Sequence, residues 1–230
     1  MTKRKRRRLQ VRHFHENGLK FVLENSGNVH DLLQLLDVRL LPRINFKKMR
    51  VVPGRFVGRD YRHLESDLVL QAPIQPPEGA KYRRIIVYIL IEHQSEPDRF
   101  MPLWVLEYVV MIYKRQMRDW EKKHKNLDKL QLQPVLPIVL YTGTRTWDKL
   151  GHIWELVDLG DELAERIPEL VPLFLNVAQT GREVLEQIGA FGPVLWLVQQ
   201  RRMRHDVFDQ TLDEVLPLLK GLAETDRTAG

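Results

Sequence analysis

A mixed α/β fold, with a central sheet flanked by helices and a helical C-terminal region, is predicted by three features of the 230-residue chain. The first is a run of seven apolar residues, Ile85 to Ile91, long enough for a buried central strand. The second is a strongly apolar stretch between residues 101 and 120 whose hydrophobic side chains recur every three or four positions, as on a helix. The third is another apolar run, Pro137 to Gly143, just beyond that helix. Strand, helix, strand in this order predicts a crossover unit with its two strands parallel.

The other elements follow in order. Gly18 to Glu24 and Val29 to Leu36 carry helical amphipathic spacing, with Asn28 expected as the N-cap of the second helix and Pro42 closing the section. Met49 to Val57 reads as extended chain broken by a turn at Pro53 and Gly54. Residues 66–72 form a short strand, and the loop 73–81, with Pro73, Pro76, Pro77 and Gly79, turns the chain so that 66–72 and 84–92 pair antiparallel. The long helix starts after Pro97 and Pro102 and is expected to bury Trp104, Leu106, Val109, Val110, Tyr113, Met117 and Trp120 along one face. Pro137 is expected at the first position of the next strand, where its missing N–H is tolerated. Leu173 to Val177 adds one more strand, and two helices, Pro193 to Met203 and Phe208 to Leu222, complete the chain. The domain reading is a basic disordered tail over 1–12, one α/β domain over 13–178 and a helical extension over 179–230.

Composition narrows the function. The chain has no cysteine, which excludes disulfides and thiolate metal sites and leaves oxygen or imidazole ligands. No secretory leader is read, and no apolar run approaches the roughly 20 residues that span a bilayer, so a soluble, cytoplasmic protein without a membrane partner is expected. The net charge of +6 is concentrated in residues 1–12, where Lys3, Arg4, Lys5, Arg6, Arg7, Arg8 and Arg12 face no acid. Such a tail either binds phosphate backbones by counterion release or is a solvated terminus of no specific role. Arg201, Arg202 and Arg204 pose the same choice at a helix end.

The chemistry concentrates where the apolar run 85–91 stops, at Glu92-His93-Gln94-Ser95. Two positions apart on a strand, Glu92 and Gln94 leave the same face of the sheet, and His93 leaves the other as a packing or hydrogen-bonding residue. Asp67 lies 25 positions earlier in the partner strand, and pairing brings the two acids toward one end. Asp67 and Glu92, with the His93 carbonyl, could hold Mg²⁺ or Mn²⁺, leaving other positions to water and a substrate phosphate. Gln94 can only orient by hydrogen bonding, since an amide neither titrates nor carries charge. The competing reading is that both acids merely end strands in solvent. No HExxH, GxSxG or Walker pattern is present, which disfavours zinc, serine and P-loop chemistry. The aromatic residues Trp104, Tyr108, Tyr113 and Trp120 are read as helix core rather than base-stacking surfaces.

At Glu92-His93-Gln94-Ser95-Glu96-Pro97-Asp98 followed by Met101-Pro102-Leu103, the chain resembles the Rpn family of recombination-promoting nucleases, also called putative transposases, in the PD-(D/E)xK superfamily. Asn28 to Leu33 is similar to that family's first helix, and Val51 to Val57 and Ser66 to Val69 to its first extended segments. Leu106-Glu107-Tyr108, Leu136 to Gly143 and Trp147 resemble its crossover helix and last core strand, so the likeness covers about residues 13–177. The resemblance implies a restriction-endonuclease-like core, magnesium-dependent DNA endonuclease activity, and a role in recombination or mobile elements. By position it makes Asp67 and Glu92 the metal ligands and puts Gln94 where many superfamily members have lysine. It also implies an assisting acid on the first helix, for which Glu24 and Asp31 both qualify. The chain departs from the pattern at Trp104, where a basic residue is expected, and in a shorter C-terminus. The alternative is a nucleic-acid-binding remnant that no longer cleaves, and homodimerisation through the final helices is compatible with either.

Overall fold

Residues 14–57, 63–65, 68–79, 85–124 and 126–200 are described by the computed structural model. Helices α1 (Phe14–Leu23) and α2 (Ser26–Leu35) lead into a short strand β1 (Arg50–Val52) and a small hairpin, β2 (Arg55–Val57) with β3 (His63–Glu65). Then come β4 (Leu68–Ile74), β5 (Ile85–Gln94), the long helix α3 (Met101–Glu121), β6 (Val135–Tyr141) and β7 (Leu173–Asn176). Helices α4 (Arg182–Glu186) and α5 (Phe191–Gln200) follow. The main sheet has the order β1-β4-β5-β6-β7. β4 pairs antiparallel with β1 and β5, and β6 runs parallel to both β5 and β7, so the mixed α/β architecture and the crossover through α3 are as the sequence predicts.

Alternation along the strands sorts side chains onto two faces, each with its own core. On one face Leu68, Leu70, Ile89, Ile91, Ile138 and Leu140 pack against Leu19 and Leu23 of α1, Leu32 and Leu33 of α2, and Phe191 and Leu195 of α5. On the other face Val69, Leu90 and Val139 pack under Met101, Val105, Val109 and Ile112 of α3. Because β5 is covered on both sides, its sequence is continuously apolar rather than alternating. Residues 179–200 thus share a core with α2.

Several local expectations change. The N-cap of α2 is Asn25, whose side chain accepts from the N–H groups of Gly27 and Asn28. Asn28 instead donates its Nδ2 to the carbonyl of Val22, at 2.7 Å, tying α2 back to α1. Helix α3 buries Met101, Val105, Val109, Ile112 and Gln116, whereas Trp104, Val110 and Met117 stay 40, 39 and 38% exposed. The helix has two apolar stripes, and the one containing the polar Gln116 faces the sheet. That amide is satisfied there: Gln133 N donates to its Oε1 at 2.7 Å, and its Nε2 donates to the Gln133 carbonyl. Pro73 is inside β4 rather than in the loop after it. Pro137 is the third residue of β6, not the first, and is tolerated because the β6–β7 ladder starts only at Ile138 opposite Leu173. Val177 begins a 3₁₀ turn after β7, the short α4 precedes the C-terminal helical region, and α5 starts at Phe191 instead of Pro193. The 1–12 tail, Asp67, Arg201 to Arg204 and the helix expected at Phe208 to Leu222 lie outside the described residues.

Candidate active site

Glu92 and Gln94 close β5 on the face that α3 covers. Leu90, two residues before Glu92, belongs to the α3 core, and Val139, which stands opposite Glu92 on β6, belongs to it too. A carboxylate therefore sits only 4% exposed at the end of an apolar strand. Burial of that kind is costly for an isolated anion, so the position favours a neighbouring cation or hydrogen-bond donors. Gln94 is half-buried and stands opposite Tyr141. Its carbonyl accepts from Thr142 N at 2.9 Å, so the backbone groups of Gln94 point to β6. Those of His93 consequently point the other way, toward the β4 side.

His93 is on the opposite face, next in line after Ile91 of the α1, α2 and α5 core. Its Nε2 lies 2.7 Å from Thr142 Oγ1, so the ring ties the end of β5 to that of β6, a packing role as its alternation predicts. The two strand ends approach closely at Gly143, where an added Cβ would stand 2.3 Å from the Ser95 carbonyl oxygen and from the Tyr141 hydroxyl. Only glycine fits there. Tyr141 OH donates to the Arg145 carbonyl at 2.8 Å, and Arg145 pairs with Glu96 at 3.3 Å across the same loops. Asp98 is committed to the start of α3: it accepts from Phe100 N at 2.8 Å and from Trp104 Nε1 at 3.1 Å. Trp104, the departure from the basic pattern, is thus a partner of the helix start and not a core residue.

Leu68 stands opposite Ile91, and Asp67 is the residue before Leu68, though it lies outside the described residues. Among the described residues no group of three or more histidines and carboxylates could hold a metal ion. The donors near the end of β5 are the Glu92 carboxylate, the Gln94 amide and main-chain carbonyls, an all-oxygen set that suits a hard cation. Asp31 is 8% exposed on α2, and its Oδ2 accepts from Phe191 N at 3.1 Å, at the start of α5. Glu24 is exposed in the turn after α1. Asp31 lies on a helix that packs on the face opposite Glu92, and Glu24 directly follows α1, which packs on that same face.

Sequence reasoning missed the bonds of Asp98 to Phe100 N and Trp104 Nε1 and of Asp31 to Phe191 N. An acid three residues before a Pro-started helix was a legible signal for the first. The second depends on a contact between residues 160 positions apart and had no local signal.

A family model described as "Putative transposase, YhgA-like" matches residues 13–229. The chain is 27% identical over 154 residues to the recombination-promoting nuclease RpnC of Escherichia coli K12, covering 66% of this chain and 47% of that protein. It is 24% identical over 152 residues to the recombination-promoting nuclease RpnD of Escherichia coli O157:H7, covering 66% of this chain and 52% of the relative. The chain thus spans about half the length of these relatives. No solved structure matches it. No helix among the described residues is long and apolar enough to cross a membrane.

Proposed function

The chain belongs to the YhgA-like transposase family, and from that membership and the site at the end of β5 we propose that it is a metal-dependent DNA endonuclease serving recombination. The observation that carries this reading is Glu92, a carboxylate buried at 4% exposure at the end of the central strand, with Gln94 next on the same face. The names of the relatives, recombination-promoting nucleases, support the reaction class.

In this reading Glu92 and Asp67 would hold a Mg²⁺ or Mn²⁺ ion, and the His93 carbonyl would be available as a further oxygen donor. β4 and β5 pair antiparallel from Leu68 opposite Ile91, and Glu92 is the next residue of β5 beyond that pair. Such an ion supplies positive charge where the phosphodiester gains negative charge during hydrolysis. Gln94 holds the attacking water by a hydrogen bond and takes no proton, because its amide does not titrate. Glu92 is itself 4% exposed, with buried Leu90 two residues before it and buried Val139 opposite it on β6, and so low a water content strengthens each charge interaction there.

Plasmid cutting tests the reading. With Mg²⁺ the wild-type chain should cut, and Asp67→Asn and Glu92→Gln should each cut slower by about two orders of magnitude. Chelator-insensitive DNA retention with no cutting by wild type would support the binding remnant instead.

A further inference from the structure

At the other end of β5 the α3 face of the sheet carries a cavity of about 460 Å³ lined by both polar and apolar groups. That is the size of sites that hold small organic ligands, roughly 300–1,000 Å³. Its floor is a hydrogen-bonded row across three strands: Arg50 Nε on β1 donates to Gln71 Oε1 on β4 at 2.9 Å, and Gln71 Nε2 donates to the Tyr88 hydroxyl on β5 at 3.1 Å. One wall is the last part of α3 and the residues after it, with Arg115, Asp119, Trp120 and Lys123. The Arg115 guanidinium is held in place by a donation from Nη1 to the Pro53 carbonyl. Three cations, Arg50, Arg115 and Lys123, thus line a cavity whose lining includes one carboxylate, Asp119. Burial lowers the pKa of Arg115 from its ordinary value, an effect the Asp119 charge opposes only in part, and raises that of the Tyr88 phenol. A positive charge partly stripped of water is a cost that a bound anion offsets.

We propose that this cavity binds a nucleoside phosphate unit, with the phosphoryl group against Arg50, Arg115 and Lys123 and the base against the apolar wall that Trp120 provides. Arginine suits the phosphoryl group because its planar fork donates two parallel hydrogen bonds to it. A bare phosphate ion would leave much of the cavity to water. The site is separate from Glu92: Tyr88 and Glu92 are four residues apart on β5, or about 13 Å. The unit can come from a free nucleotide or from a nucleic-acid strand, and the strand source rests on the nuclease reading.

The test uses the full chain in chelator, with adenosine monophosphate, adenosine and a short 5′-phosphorylated oligodeoxynucleotide as probes, read by calorimetry and tryptophan fluorescence. Adenosine monophosphate or the oligonucleotide should bind saturably and quench Trp120, and adenosine should bind at least about tenfold more weakly. Arg50→Ala and Lys123→Ala, both at exposed positions, should each weaken binding on the order of tenfold, with the urea midpoint unchanged in Lys123→Ala and lowered in Arg50→Ala by loss of the bond to Gln71. Trp120→Phe should bind but lose the quench. Binding of the mononucleotide assigns a free nucleotide as the ligand; binding of the oligonucleotide alone, lost in the same variants, assigns a strand. Absence of binding by both probes, or equal binding by the Arg50 and Lys123 variants, would overturn the proposal. Glu92→Gln should bind like wild type whether or not the chain cuts DNA, which separates this site from the nuclease reading; lost binding in that variant would overturn the second site.

Discussion

The carboxylate of Asp31 on α2 accepts a 3.1 Å hydrogen bond from the backbone N–H of Phe191, at the first residue of α5. That bond joins the two ends of the described chain beneath one face of the sheet, and it satisfies an N–H that the helix cannot pair internally. Asp31→Ala should cost about 1–3 kcal/mol, the penalty of leaving a buried donor unmade. Gly189→Ala should also destabilise, since its Cβ would meet Asp31 Oδ2 at 2.8 Å. Urea unfolding measures both, and DNA cutting by the folded fraction should be unchanged because Asp31 faces away from Glu92.

Gly143 is predicted to be intolerant of any side chain. An alanine there would push against the Ser95 carbonyl at 2.3 Å and displace the loop that follows Gln94. Overpacking of this kind costs about 1–3 kcal/mol. Thermal unfolding should show a lower midpoint, and cutting should fall further than the loss of folded protein explains.

His93→Ala separates position in sequence from position in space. It removes the contact with Thr142 Oγ1 and should cost about 1 kcal/mol of stability. Cutting should stay within a few-fold of wild type, because His93 leaves the sheet on the face away from Glu92. A loss comparable to that of Glu92→Gln would place the imidazole in the chemistry after all.

Tyr88 gives a signature at alkaline pH. Burial first, and then the Asp119 charge, raise its phenol above the ordinary value of 10.0. A folded-state pKa above the unfolded one contributes stability that is complete below pH 10 and is lost as pH rises through the folded value. Titration of phenolate absorbance should show a late-ionising component to which Tyr88 contributes. Tyr88→Phe should diminish that component and flatten the alkaline decline in stability.

Much of the fold was legible because β5 states itself: seven apolar residues can only be a strand or helix buried on both sides, and the proline-rich loop before it forces an antiparallel return. Phasing on α3 was not legible. Leu106, Val110 and Met117 form as good a stripe as Val105, Val109 and Ile112, and tertiary pairing of Gln116 with Gln133 decides between them. The N-cap of α2 was ambiguous for a similar reason, with Asn25 and Asn28 flanking Ser26 and Gly27. At the site, alternation correctly put His93 on one face and predicts Glu92 and Gln94 on the other. The cavity around Arg50, Tyr88 and Arg115 left no trace in the sequence, because its groups come from three elements that only the register aligns.

The most direct measurement is calorimetric titration of Mg²⁺ and Mn²⁺ into the wild-type chain and into Glu92→Gln. The account predicts saturable binding of a divalent ion to wild type and weakening on the order of 100-fold in the variant, with the fold intact. Equal affinity in both chains would contradict it.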